Sequence, residues 1–159
     1  MSSDLRDLYQ DVILDHGKKP RNARVIEGAT FVQPAYNPLC GDKGTLYLSL
    51  DPSSDRITDA AYVGQGCSIS TASASIMTDF VRGKSREETL NSFHLFHDMI
   101  TAAPDEASHR AVPELGKLSV FSGVAEFPAR VKCATLAWHA LKAALTKGAA
   151  AAPKPVSTE

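Results

Sequence analysis

The sequence predicts an α+β fold in which helices pack on one face of a small three-stranded antiparallel sheet. Apolar residues alternate with a period of two between residues 29 and 63, and helical periodicity dominates the rest of the chain. The links between the three candidate strands are short, as they are between antiparallel neighbours. A run of strands followed by a run of helices is typical of α+β domains.

The chain opens with an amphipathic helix. We expect Asp4 to cap this helix, and Gly17 followed by Pro20 to end it. One apolar face is formed by residues at helical spacing, namely Leu5, Leu8, Tyr9, Val12 and Ile13.

Three strands are predicted next, over residues 30–36, 45–50 and 57–63. Pro34 cannot donate a backbone hydrogen bond, so the first strand is expected at the edge of the sheet. Residues 51–55 form a cluster typical of a turn. The three segments therefore predict an antiparallel meander.

Helices dominate the second half. A helix over residues 69–80 is expected to stop at Gly83, and Ser85 with Glu88 forms a capping box that opens another helix ending before Pro104. Residues 104–127 are predicted to be irregular, with a short apolar piece over 115–121. Pro128 suits the first position of the last helix. We expect residues 1–147 to form one domain and the Ala/Pro-rich tail, 148–159, to be disordered.

Composition limits the function classes. Seventeen Lys and Arg against eighteen Asp and Glu give a net charge of −1, so nothing favours binding to nucleic acid or to an anionic membrane. No apolar run approaches the roughly 20 residues that cross a bilayer, and the N-terminal residues lack the pattern of a signal peptide. A cytoplasmic protein with three reduced thiols is expected.

These three thiols, Cys40, Cys67 and Cys133, fall at predicted ends of helices and strands. A helix start, where Cys67 and Cys133 are expected, lowers the pKa of a thiol and favours the metal-binding thiolate. Asp42 stands two residues after Cys40, so three thiolates and a carboxylate could close a tetrahedral zinc site. Buried cysteines that only fill space remain the alternative, because the long separations match no compact metal motif.

The histidines provide a second set of metal-binding residue types. His94 and His97 stand at i and i+3 on a predicted helix, which could hold a metal, but the apolar neighbours favour a packing or surface role. His139 is expected to pack or lie on the surface. His16 is expected near the end of the first helix, where its charge would favour the helix dipole.

Three segments carry a resemblance. Residues 37–42 (NPLCGD), 64–70 (GQGCSIS) and 130–133 (RVKC), together with 80–85 (FVRGKS), resemble the U-type iron–sulfur assembly proteins, the IscU/NifU-N-like family. The resemblance covers roughly residues 5–145. It implies the IscU/SufU-like α+β fold and a metal site made by Cys40, Asp42, Cys67 and Cys133.

Two features resemble the SufU branch of that family. Lys132 stands where the IscU branch carries a histidine, and a lysine cannot replace an imidazole ligand at neutral pH. Extra chain separates Cys67 from Cys133, and Arg130 also matches the SufU branch. The resemblance therefore implies a zinc-bound sulfur-transfer protein that works with a cysteine desulfurase.

The implied mechanism begins on a pyridoxal-phosphate-dependent cysteine desulfurase, which carries sulfur as a persulfide. A histidine of that partner would replace Cys40 on zinc, and the freed thiolate would take the sulfur. Asp42 would be an exchangeable ligand that can pair with Arg130 after leaving the metal. The persulfide would then pass to a downstream iron–sulfur scaffold complex. The alternatives are a scaffold that builds an iron–sulfur cluster on the same cysteines, and a binding protein with a structural zinc.

Overall fold

A computed structural model describes residues 3–38, 41–101 and 113–147. It confirms the α+β class, with three strands and five helices in those ranges. The elements are α1 (Ser3–Lys18), β1 (Phe31–Asn37), β2 (Asp42–Leu50), β3 (Ile57–Gln65), α2 (Ser68–Val81), α3 (Arg86–Thr101), a 3₁₀ segment (Pro113–Glu126) and α4 (Pro128–Lys147). Cys40 and the tail 148–159 lie outside the described residues, so the domain bounds and the disorder of the tail stay predictions.

The sheet is the predicted antiparallel meander, in the order β1-β2-β3. Leu46 and Leu48 are fully buried on its inner face, opposite Tyr62 and Phe31 in the neighbouring strands. The register pairs Asn37 with Asp42. The end of β1, the start of β2 and the end of β3 therefore meet at one end of the sheet.

Two helices cover the inner face, α2 against β3 and α4 against β1. In the core between the helices, the Trp138 ring of α4 stacks on Phe96 of α3 with 4.6 Å between ring centroids. The buried Ser73 hydroxyl of α2 donates a 2.6 Å hydrogen bond to the carbonyl oxygen of Ala134 in α4. This bond fixes α2 against α4 one residue from Cys133.

Most predicted helix ends agree with the structure. Ser85 and Glu88 form the capping box at the start of α3, with two reciprocal hydrogen bonds of 3.1 Å. Gly83 takes the left-handed conformation (φ +83) just after the end of α2. The predicted cap at Asp4 is wrong, because α1 already includes Ser3.

Of the segment predicted to be irregular, residues 104–112 lie outside the described residues. Residues 113–126 form a 3₁₀ helix, broken at Gly116 (φ 53, ψ −123). Leu115, Leu118 and Phe121 are fully buried. Their spacing of three matches the three residues per turn of a 3₁₀ helix, which explains why neither a period of two nor one of 3.6 fits this segment.

Over the part of the chain that the structure describes, no helix combines the length and the apolar character needed to span a bilayer.

Candidate metal centre

Asp42, Cys67 and Cys133 converge at the end of the sheet. Each offers one ligand atom, and these atoms lie within 4.8 Å of one another. Ligands bound at the usual zinc distances in a tetrahedral set are about 3.5–4 Å apart. Three of the four predicted metal ligands are therefore placed at nearly the separation that a single ion would need.

The Asp42 carboxylate is oriented by the backbone before α2. Asp42 is the first residue of β2 and is 1% exposed. Its Oδ1 accepts a 3.0 Å hydrogen bond from the N–H of Cys67, and its Oδ2 lies 3.8 Å from the Cys67 Sγ. One oxygen is thus fixed by the chain while the other faces the sulfur.

Gly66 makes room for this carboxylate. A Cβ added to Gly66 would fall 2.4 Å from Oδ1 of Asp42, far inside van der Waals contact. A residue with a side chain at this position would displace the carboxylate.

Cys67 is the N-cap of α2, so its predicted place at a helix start is confirmed. Its Sγ accepts a 3.4 Å hydrogen bond from the N–H of Ser70, and the side chain is half-buried. The cap geometry directs the sulfur toward the free N–H groups at the start of the helix.

Cys133 lies in the second turn of α4, because the helix begins at Pro128. The predicted first-turn position is therefore wrong, and the helix dipole acts less strongly there. The residue is 2% exposed, and its Sγ lies 3.8 Å from the carbonyl oxygen of Ala129. Cys133 is a buried sulfur whose position is set by the packing of α4 against α2.

Residues 39 and 40 lie outside the described residues, so the predicted role of Cys40 stays a prediction. Asn37 and Gly41, on either side of them, are described. The N–H of Gly41 donates a 2.8 Å bond to the carbonyl oxygen of Asn37, and Gly41 has φ +74, a conformation that glycine adopts without strain. Gly41 therefore provides the bend that the sequence predicts between Cys40 and Asp42.

Arg130 supplies positive charge to the two sulfurs. The side chain is exposed, and its pKa is raised, first by the charge that Cys67 carries when deprotonated and then by a hydrogen bond to Cys133. The guanidinium thus faces the thiols. Its predicted pairing with a released Asp42 stays a prediction.

Tyr62, which no sequence motif singled out, lies close to this site. Its ring packs over Gly44 on the inner face of the sheet, and burial first, then the charge of Asp42, raises the pKa of its phenol. Alternation along β3 could have placed Tyr62 on the inner face, but its contact with Gly44 depends on the register with β2.

The histidines do not join the site. Of the described residues, only Asp42, Cys67 and Cys133 form a group of three potential ligands. His94 is exposed, and His97 and His139 are half-buried against Phe93, in agreement with the packing or surface role expected for them.

The predicted position of His16 near the end of α1 is confirmed, but its predicted charge is not. It is 6% exposed, and its Nδ1 lies 2.7 Å from the Ser75 hydroxyl. Burial, followed by the charge of Arg21, lowers its pKa. A neutral imidazole gains nothing from the helix dipole, so His16 holds α1 against α2.

The donor set fits zinc. Thiolate sulfurs suit a borderline-soft ion, and a carboxylate oxygen is an accepted fourth ligand. Asp42 is already hydrogen-bonded through its second oxygen, as metal-binding carboxylates commonly are. Cys67, Cys133 and Asp42 would hold the ion, with Cys40 as the remaining predicted ligand.

Known proteins resemble this chain over most of its length. The sequence-family model of the NifU-like N terminal domain matches residues 8–134. The iron-sulfur cluster assembly scaffold protein IscU of Streptococcus pyogenes serotype M1 is 44% identical over 92% of this chain and 88% of its own. The zinc-dependent sulfurtransferase SufU of Bacillus subtilis (strain 168) is 42% identical over 92% of this chain and 95% of its own.

The fold has a solved counterpart as well. The crystal structure of a hypothetical protein, 43% identical, superposes with a TM-score of 0.77 over 88% of this chain and 98% of that one. Identities of 44% and 42% assign the family but do not favour the SufU branch over the IscU branch. The chain belongs to the family of NifU-like N-terminal domains, the family that it shares with its IscU and SufU relatives.

Proposed function

We propose that this chain is a zinc-dependent sulfur-transfer protein of iron–sulfur cluster assembly. It accepts persulfide sulfur on Cys40 from a pyridoxal-phosphate-dependent cysteine desulfurase and passes it to a downstream iron–sulfur scaffold complex. Its sulfurtransferase-type activity requires that desulfurase. The observation that carries the proposal is the convergence of Asp42, Cys67 and Cys133 within 4.8 Å, with Arg130 facing the sulfurs.

The metal set in this proposal is Cys40, Asp42, Cys67 and Cys133. Bound zinc would keep the thiols deprotonated at neutral pH. Three thiolates, one carboxylate and one divalent cation leave a formal charge of −2 at the site. Arg130 reduces the cost of this charge, since its guanidinium faces two of the sulfurs.

Cys40 is the acceptor in this account because the other two cysteines are fixed by helices. Cys67 caps α2, and Cys133 is buried in α4. Cys40 belongs instead to the short connection between β1 and β2, next to Gly41. A sulfur in such a connection can reach a partner without unfolding a helix.

The transfer step is a thiol–persulfide exchange. The Cys40 thiolate attacks the terminal sulfur of the desulfurase persulfide, and a new S–S bond forms on Cys40. The S–S bond of the desulfurase breaks, and its electron pair leaves on the cysteine thiolate of that enzyme. The exchange is redox-neutral and needs no external oxidant or reductant.

A second candidate function is a scaffold that assembles an iron–sulfur cluster on the same residues. The name of the Streptococcus relative favours it. Lys132 opposes it, because an ammonium group cannot replace an imidazole as a ligand beside Cys133. Freshly purified protein that is colourless with about one zinc supports the sulfur-transfer account, and brown protein with iron and acid-labile sulfide supports the scaffold.

The decisive functional assay uses the cognate desulfurase. We expect the wild-type chain to stimulate sulfide release from cysteine and to carry one additional sulfur on Cys40, detected by mass spectrometry. The Cys40→Ser variant should lose both properties, and the His94→Gln variant, changed at an exposed residue outside the site, should keep them. Full transfer by Cys40→Ser would refute the assignment of the acceptor.

Asp42 provides a separate test of the metal site. The Asp42→Ala variant removes the carboxylate and leaves the three thiols, so zinc retention or transfer should change. If both stay at the wild-type level, Asp42 has no part in the mechanism.

A further inference from the structure

The Tyr62 hydroxyl is buried close to the site. Tyr62 is 9% exposed, and its Oη has no hydrogen-bond partner among the described residues. A buried hydroxyl without a partner destabilises a fold, whereas a phenylalanine ring would fill the same space without that penalty. The structure thus holds a donor close to the site that is not used in this arrangement.

The ring of Tyr62 extends along β2 toward Asp42. A Cβ added to Gly44 would fall 2.5 Å from the Oη atom and 2.4 Å from Cζ, so the phenol lies directly over Gly44. Asp42 stands two residues before Gly44 on the same face of the strand, which places their Cα atoms about 7 Å apart. The electrostatic effect of Asp42 on the phenol agrees with this closeness.

The two oxygens of Asp42 have different surroundings. Oδ1 accepts the N–H of Cys67 at 3.0 Å, which fixes one side of the carboxylate. Oδ2 faces the Sγ of Cys67 at 3.8 Å and is the oxygen directed into the ligand cluster. Rotation about the Cα–Cβ and Cβ–Cγ bonds of Asp42 would carry Oδ2 out of the cluster.

We propose that the Tyr62 hydroxyl donates a hydrogen bond to Oδ2 of Asp42 when that carboxylate leaves the ligand cluster. This inference rests on the proposed function, because it gives the exchangeable ligand a second position. Tyr62 acts through Asp42 and is a positioning residue. While Oδ2 lies in the ligand cluster, the hydroxyl has no acceptor among the described residues. In the released arrangement it stabilises the free carboxylate, so Tyr62 weakens zinc binding.

The first test measures zinc affinity of the full chain by competition with a chromogenic chelator. We expect Tyr62→Phe to bind zinc about tenfold more tightly, since the released carboxylate loses a charge-assisted bond. Tyr47→Phe is the matched control, because Tyr47 lies on the outer face of β2. The zinc affinity of this variant should equal that of the wild type. In an Asp42→Ala background, Tyr62→Phe should have no effect.

The second test uses the metal-free protein and depends on the sign of a stability change. If the hydroxyl bonds to Asp42, Tyr62→Phe lowers the urea midpoint of unfolding. If the hydroxyl stays without a partner, the same variant raises that midpoint. A raised midpoint, an unchanged zinc affinity, or an effect that persists without Asp42 would each overturn the inference.

The two proposals fail in distinguishable ways. A wild-type chain that takes up no zinc contradicts the proposed function, and the metal-free midpoint still decides the role of Tyr62. A wild-type chain that binds zinc tightly, with Tyr62→Phe unchanged, contradicts only the inference about Tyr62.

Discussion

Two clusters of metal-binding residue types differ in how the fold uses them. The ligand cluster, Asp42, Cys67 and Cys133, comes from three distant parts of the chain, yet its ligand atoms lie within 4.8 Å. The histidine cluster, His94, His97 and His139, includes two residues only three positions apart. Its rings surround Phe93, with centroid distances of 5.4, 5.7 and 5.6 Å.

The difference shows that topology, and not closeness in sequence, makes the site. The strand register and the cap of α2 bring Asp42 and Cys67 together, and the packing of α4 adds Cys133. In the histidine cluster the imidazoles contact an aromatic ring, and the Lys142 ammonium lies 5.3 Å from the same ring centroid. Imidazoles, unlike thiolates and a carboxylate, bring no negative charge to offset this ammonium group, so this cluster packs α3 against α4.

The largest expected effect comes from comparing the removal of one side chain from each cluster. Cys67→Ser should lower zinc affinity by more than about 100-fold, because ligand loss exceeds the effect of losing an outer hydrogen bond. His97→Gln should leave the affinity unchanged. Zinc content after dialysis against a weak chelator distinguishes the two variants, and equal losses would show that the histidine cluster also binds the ion.

A smaller effect is expected from the glycine that accommodates Asp42. Gly66→Ala places a Cβ 2.4 Å from Oδ1, so the carboxylate must move and zinc affinity should fall by about 10- to 100-fold. Gly123→Ala is the matched control, since a Cβ there meets nothing within 4 Å. The same competition assay measures both variants. Equal affinities would contradict the position assigned to Asp42.

The smallest effect concerns pH and the histidine cluster. Burial, followed by the charges of His97 and Lys142, lowers the pKa of His139 from its ordinary value of 6.5. Between the lowered pKa and 6.5 the unfolded chain therefore binds more protons than the folded chain, so His139 makes the fold less stable as pH falls through this range.

The measurement is the Tm of the metal-free protein at about pH 7.5 and about pH 5.5. His139→Gln should reduce the loss of Tm on acidification by ~2 °C relative to wild type. His16 also has a lowered pKa, so part of the dependence should remain. If His139→Gln loses as much Tm on acidification as the wild type, His139 is not a cause of that loss.

Local patterns predicted most of the fold and part of the site. Alternation found the three strands, and the Ser85–Glu88 pair found the start of α3, because both signals depend only on neighbouring residues. The 3₁₀ segment was missed because its spacing of three belongs to neither regular pattern. Tyr62 was missed because its importance depends on a neighbouring strand, and the bond from the Cys67 N–H to Asp42 depends on the same long-range register.

X-ray absorption at the zinc edge of the purified wild-type chain tests the central claim most directly. The account predicts one zinc with three sulfur ligands at about 2.3 Å and one oxygen at about 2.0–2.2 Å, supplied by Cys40, Cys67, Cys133 and Asp42. A shell containing imidazole nitrogen, or one with fewer than three sulfurs, would contradict it.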